Sequence, residues 1–251
     1  MSIPQPFRTI AFALAVLACP AAGAMAASTN TITVLATASA LPGAKALAAD
    51  FTQKTGVTVK FAGGSRFGIR AAIKAGQGDV VLLPSTDFAD LPQVLGMTPI
   101  GHILVGVGVK AGTPVPDVST PEKFRAALVK AKGVAYADPV VGTSAGPMIQ
   151  AMLNQPDFKT VRRVPVQGLA VTGLANGRAD IALQLVPELA NTPQVVLAGP
   201  VPYAYGASVD FSAGMVGATL DSLDARAFIV FLTSHQAVAL WKANGLESLI
   251  K

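Results

Sequence analysis

The chain has 251 residues, 51% of them apolar and 13% charged, with 19 Lys and Arg against 14 Asp and Glu. That length supports one large domain or two small ones, each with its own core. The surplus of positive charge is scattered, with no basic run longer than Arg162-Arg163. This excludes the dense footprint of a nucleic-acid binder and suits attraction of small anions into a cleft.

The chain opens "MSIPQPFRTIAFALAVLACPAAGAMAAS", with Arg8, an apolar run from Ile10 to Ala18, then Ala24-Met25-Ala26. That order reads as a secretory signal peptide over residues 1–26, cut after Ala26 and exporting a soluble protein to the periplasm. The run is too short for a membrane anchor, and Pro20 and Gly23 interrupt it. "VLAC" offers a second reading, a lipoprotein tethered at Cys19. Cys19 is the sole cysteine, so cleavage at Ala26 would leave no disulfide and no thiolate metal site.

"TITVLATASA" from Thr31 reads as a strand and "LPGAKALAADFTQKTG" as a helix, with apolar residues at helical spacing and Gly56 as its stop. "VTVKFAGG", "SRFGIRAAIKAG" and "GDVVLLPS" continue the pattern as strand, helix and strand. "HILVGVGVKAG", His102 to Gly112, reads as a longer strand. The helix in "STPEKFRAALVKAKG" starts with Thr120 as cap and Pro121 in its first turn. "VAYADPVVGTSAGPMIQAMLN" gives strand, loop and helix. "VQGLAVTGLANGRADIALQLVPELAN" gives a helix, a turn at Asn176-Gly177 and a strand from Asp180 to Leu185. "FSAGMVGATL" is a late strand, and two helices broken around Thr233-Ser234 close the chain. The alternation argues for a two-lobed α/β protein with parallel strands.

Three loops follow strands, carry small or hydroxyl residues and open helices: Thr37-Ala38-Ser39, Gly63-Gly64-Ser65-Arg66, and Gly142-Thr143-Ser144-Ala145-Gly146. A helix N-terminus offers unpaired N–H groups and partial positive charge. In open α/β sheets, ligands gather at the carboxyl ends of strands. Ser39, Ser65 and Ser144 taken singly read as ordinary helix caps, whereas three such loops together point to a shared anion site. Arg66 brings a planar fork that matches a carboxylate. Arg70, one turn on, reads as a solvated surface residue, and Trp241 as core. His102 and His235 are the only histidines, and neither has ligand spacing, so no metal and no cofactor is expected. "GVGVKAG" lacks the dinucleotide fingerprint, and no nucleophile elbow or P-loop is present.

The segments "TVLATASAL", "FAGGSRFGIRAAIKAGQGDVVLLPS", "GRADIALQLVPELA", "LAGPVPYAYG" and "RAFIVFLTSHQAVALWKANGLE" together resemble periplasmic molybdate-type substrate-binding proteins of ABC transporters. They resemble more closely a divergent branch that also includes aconitate isomerase. The resemblance implies a type II periplasmic binding-protein fold, with two α/β lobes joined by a two-strand hinge around a ligand cleft. One lobe would comprise residues 27–105 and 206–251, the other 106–205. It implies ligand-binding roles for Thr37, Ser39, Ser65, Arg66, Thr143, Ser144, Ala145 and Gln184. Arg66, Phe67 and Gln184 depart from the hydroxyl pattern of molybdate binders, and a di- or tricarboxylate suits them better. The implied function is capture of a small organic anion by a monomer that docks on an ABC permease. The alternative is an isomerase moving the double bond of aconitate, for which His102, Tyr136 and Glu188 are the candidate bases. A sensor that binds a ligand and docks on a receptor is a third class.

Overall fold

A computed structural model of the chain describes residues 31–217 and 222–250. The expected signal peptide and the lipoprotein alternative at Cys19 lie outside the described residues. No helix of the described residues is long and apolar enough to cross a membrane.

The first half is built from β1 (Thr31–Thr37), α1 (Leu41–Thr55), β2 (Thr58–Gly64), α2 (Arg66–Lys74) and β3 (Val80–Pro84). β1 runs parallel to β2 and β3. Alternation along β1 sends Ile32, Val34 and Ala36 to one face and Leu35 to the other, the period-two pattern of a strand buried on both sides. α1 has Pro42 in its first turn and ends at Gly56, whose φ of 75° lets its N–H reach Thr52 O.

β4 (Val94–Lys110) follows a short 3₁₀ turn at Ser85–Asp90. It starts eight residues before the strand expected from His102. Gly96 and Pro99 obscured that beginning, and the strand keeps going there through irregular register between Leu95 and Thr98 and between Pro99 and Gly101. Then come α3 (Pro121–Lys130), β5 (Val134–Ala137), α4 (Gly146–Leu153), β6 (Arg163–Val166), α5 (Val171–Ala175), β7 (Ile181–Leu185), α6 (Val186–Ala190) and β8 (Val195–Pro200). Thr120 caps α3 as expected, its Oγ1 accepting the Lys123 N–H at 3.3 Å. β9 (Ser208–Val216), α7 (Leu223–Leu232), α8 (His235–Ala243) and β10 (Leu246–Ser248) finish the chain.

The strands form one large mixed sheet in the order β2-β1-β3-β9-β4-β7-β5-β6, with β8 and β10 also on β4. β9 runs antiparallel to β3 and β4, so the sheet is not purely parallel. β4 is shared: it pairs with β9 from Val94 to Leu104, and with β7 and β8 from Val105 to Lys110. Its glycines now have a reason. A Cβ at Gly106 or Gly108 would lie 2.8 Å from the Leu197 or Leu189 side chain, so glycine lets α6 and β8 lie on that face.

Candidate functional site

The carboxyl ends of β1, β2 and β3 bring together the first set of residues. Thr37 ends β1 opposite Gly64 of β2. Thr37 and Ser39 are 4% and 2% exposed, and their hydroxyl oxygens are 3.3 Å apart. Ser39 does not cap α1: the cap residue is Ala40, and no side chain bonds the first turn. Ser65 does cap α2, its Oγ accepting the Gly68 N–H at 3.1 Å. Of the three serines weighed as caps, only Ser65 is one. At α4 it is Thr143, not Ser144, whose hydroxyl accepts the Gly146 N–H, at 3.2 Å.

Arg66 has a partner that sequence reasoning missed. Its Nε donates to Asp87 Oδ2 at 2.6 Å, and its Nη2 donates to Asp87 Oδ1. Asp87 is fully buried in the turn after β3, while the Arg66 side chain stays 27% exposed. Hydrogen bonding to Asp87 holds the guanidinium still further above its high ordinary pKa, against the opposing effect of burial. Arg70 is not a purely solvated residue: its Nη1 lies 3.7 Å from Asp87, and its Nη2 donates to Asp90 at 3.3 Å. The sequence signal for Asp87 was position alone, an acid three residues past a strand whose neighbours carry the other loops. Beside it, Ser85 and the buried Ser212 of β9 pair their hydroxyls at 2.7 Å.

The second set gathers at the carboxyl ends of β5 and β7. Thr143, Ala145, Gln184 and Glu188 line one small cavity with Ala137, Gly146, Ile149 and Leu183. About 10 Å³ is open there, room for one water or one ligand oxygen. Gln184 is 4% exposed. Its Oε1 accepts the Ala170 N–H at 2.6 Å, and its Nε2 donates to Glu188 Oε2 at 2.8 Å. Larger cavities, of 330 and 500 Å³, lie elsewhere, beside Val201–Tyr203 and beside Thr113–Pro116.

The two sets meet through Phe67 and Gly142. Gly142 has φ 70°, and the space its Cβ would take is filled by the Phe67 ring. Phe67 is otherwise 58% exposed. Thus the first turn of α2 touches the loop before α4.

The three candidate bases fall in different places. His102 pairs with Glu247 of β10, Nε2 to Oε2 at 2.9 Å, and stands in register with Asp210 of β9. It does not line the small cavity. Tyr136 is buried in β5 within the main core, and burial raises its phenol pKa. Only Glu188 lines the cavity. Burial pushes its carboxyl pKa up, and the Gln184 hydrogen bond offsets only part of that.

The sign of the Glu188 effect on stability follows from proton counting. Between the ordinary Glu range near pH 4.3 and its raised folded pKa, the folded state holds a proton that the unfolded state has lost. Stability therefore falls as pH rises through that window. Glu188→Gln should flatten this slope and leave the variant more stable than wild type above it. Urea midpoints measured between about pH 4 and 8 would show parallel curves instead if Glu188 were ordinary.

Among the described residues no group of three or more His, Cys, Asp or Glu could hold a metal. The mixed sheet with helices on both sides is the fold of type II periplasmic binding proteins, and solved structures share it. One is the substrate-binding domain of a putative molybdenum ABC transporter from Clostridium difficile, with TM-score 0.68 and 14% identity over 88% of this chain and 100% of that one. Another is the periplasmic molybdate-binding protein of Azotobacter vinelandii, with TM-score 0.63 and 21% identity over 88% and 99%. At these identities the likeness shows the fold. The chain belongs to the family described as bacterial extracellular solute-binding protein, whose model matches residues 32–247. An aconitate isomerase from Pseudomonas sp. is 26% identical over 150 residues, 59% of this chain and 57% of that protein's length.

Proposed function

We propose that the protein captures a small organic anion, a di- or tricarboxylate, in a cleft between lobes 27–105 with 206–251 and 106–205. It would do so as a periplasmic monomer that delivers the anion to an ABC permease. The observation that carries this reading is the meeting of two polar loop sets at Phe67 and Gly142. On one side stand the buried hydroxyls of Thr37 and Ser39 with Ser65 and Arg66. On the other stand Thr143, Ser144, Ala145 and Gln184. α1 begins without a side-chain cap, which leaves N–H groups of its first turn for an anion, whereas at α4 Thr143 already accepts the Gly146 N–H. Arg66 spends two of its five N–H donors on Asp87, so it reaches a ligand already oriented. The names of the fold relatives, which include molybdate, tungstate and sulfate binders, support an anion.

A second reading has support of its own. Glu188 is a half-buried carboxyl lining a small cavity, where a base could take and return a proton beside a double bond. The similarity to an aconitate isomerase supports conversion of aconitate on this scaffold.

Thermal unfolding with citrate, cis- and trans-aconitate, sulfate and molybdate tests both. A ligand at 100 times its Kd adds about 2.7 kcal/mol of stability. Citrate or an aconitate should raise Tm, whereas molybdate should not, because Phe67 and Gln184 replace hydroxyl donors. A rise with molybdate alone would sink the carboxylate reading. Loss of the cis-aconitate signal to its trans isomer by NMR would favour the enzyme.

A further inference from the structure

The hydrogen bonds around Glu188 determine where a proton on it must sit. A backbone N–H can only donate, so the Ala170 N–H at 2.6 Å makes the facing atom of Gln184 its oxygen. The Gln184 Nε2 is thereby turned to Glu188 and donates to Oε2 at 2.8 Å. Oε2 is an acceptor in that bond. A carboxyl proton therefore belongs on Oε1, the oxygen that Gln184 leaves unused.

The surroundings favour that proton. α6 packs on β4, β7 and β8, and β7 and β8 contain no titratable residue. β4 carries His102, which is bonded to Glu247, and Lys110 at its far end. The loop between β5 and α4 carries Asp138, whose oxygens accept from Val140 N–H and Gln167. α4 and α5 carry none. From the other half, Arg66 beside Phe67 is engaged by Asp87. Among the described residues no cation forms an ion pair with Glu188. An uncompensated carboxylate in such a place is costly, and a neutral acid is not.

We propose that Glu188 is a neutral acid in the resting protein and donates its Oε1–H to an oxygen of the bound anion seated against Thr143 and Ala145, so that anion and proton bind together. This rests on the anion-binding reading above. An ionised Glu188 would repel the ligand in the same small cavity, which has room for a single oxygen. The neutral acid reverses the sign of that contact and selects an acceptor oxygen there. Gln184 acts as the positioning residue that turns the proton toward the ligand.

The experiment has two arms on the full protein. Infrared difference spectra of ligand-free wild type against Glu188→Gln, taken from about pH 4 to 9, should show a protonated carboxylic acid band above the ordinary Glu range, absent from the variant. Calorimetric titration with trans-aconitate should show wild-type affinity falling about tenfold per pH unit once Glu188 titrates. Proton uptake on binding should grow there. Glu188→Gln keeps an N–H donor without a titration, so its affinity should stay within about threefold of wild type at low pH and be flat with pH. Glu188→Ala should lose about tenfold or more. An ionised Glu188 at pH 5 in the infrared arm overturns the proposal, as does a Glu188→Gln protein that keeps the wild-type pH slope. If the wild type binds no trans-aconitate at any pH, the tricarboxylate reading fails and the donor role with it. A persisting infrared band would then show that the failure lies in the ligand class and not in the proton.

Discussion

Arg66→Ala is expected to destabilise the folded protein by about 3 kcal/mol. The cost comes from Asp87, which is fully buried and receives two hydrogen bonds from Arg66. Removing the guanidinium leaves a buried carboxylate with Arg70 at 3.7 Å as its nearest remaining ion-pair partner. That residual contact, and the partial exposure of Arg66, keep the expected loss at the low end of what breaking a buried pair costs. Arg66→Lys should recover only part, since an ammonium cannot engage both carboxylate oxygens in the same geometry. Arg70→Ala should cost less than Arg66→Ala. Urea denaturation of the three variants tests the order. Equal stability of Arg66→Ala and wild type would mean that the pair contributes nothing and that Arg66 is held for ligand alone. Since the pair also orients Arg66, Asp87→Asn should weaken carboxylate binding even though Asp87 itself is not offered to the ligand.

Trp241→Ala is expected to cost about 4 kcal/mol. Trp241 in α8 is 1% exposed, and its Nε1–H donates to Leu232 O of α7 at 2.8 Å. Its ring lies where a Cβ at Gly43 would come within 2.6 Å, so α1 approaches the indole through a glycine. One side chain thus ties three helices over the same face of the sheet. Truncation removes its buried area, leaves a cavity and frees the Leu232 carbonyl. Trp241→Phe should lose less, because much of the ring volume remains. Trp241 is the only tryptophan, so these variants need circular dichroism as the unfolding signal. A loss under about 1 kcal/mol for Trp241→Ala would show that the helices repack without it.

Much of the fold was legible because strand and helix periods alternate cleanly through residues 31–84 and 120–153. The antiparallel direction of β9 was not legible, since it depends on how the chain returns to β3 and β4 and not on any local pattern. β6, β8 and β10 were missed. The shortest span three and four residues and present too few side chains for a period to show. At the site, the hydroxyl loops were visible as composition. The Arg66 partner was not, because Arg66 and Asp87 lie 21 positions apart and meet only through the pairing of β1 with β2 and β3. Gln184 and Glu188 are four apart, yet the pair arises at a strand-to-helix junction. Helical spacing would have found them for the wrong reason.

β4 also limits which changes of chain length the protein can accept. Val105, Val107 and Val109 point into the main core, and Gly106 and Gly108 face α6 and β8. Upstream, from Gly101 to Leu104, the same strand keeps register with β9 and β10. Because strand side chains alternate with a period of two, one residue inserted between Leu104 and Gly106 would invert one half relative to the other. Valines would then press on α6 while glycines emptied the core beneath α3. Surface loops such as 111–119 can lengthen without such an exchange. Homologous chains should therefore vary in length at loops like that one and keep β4 free of single insertions and deletions.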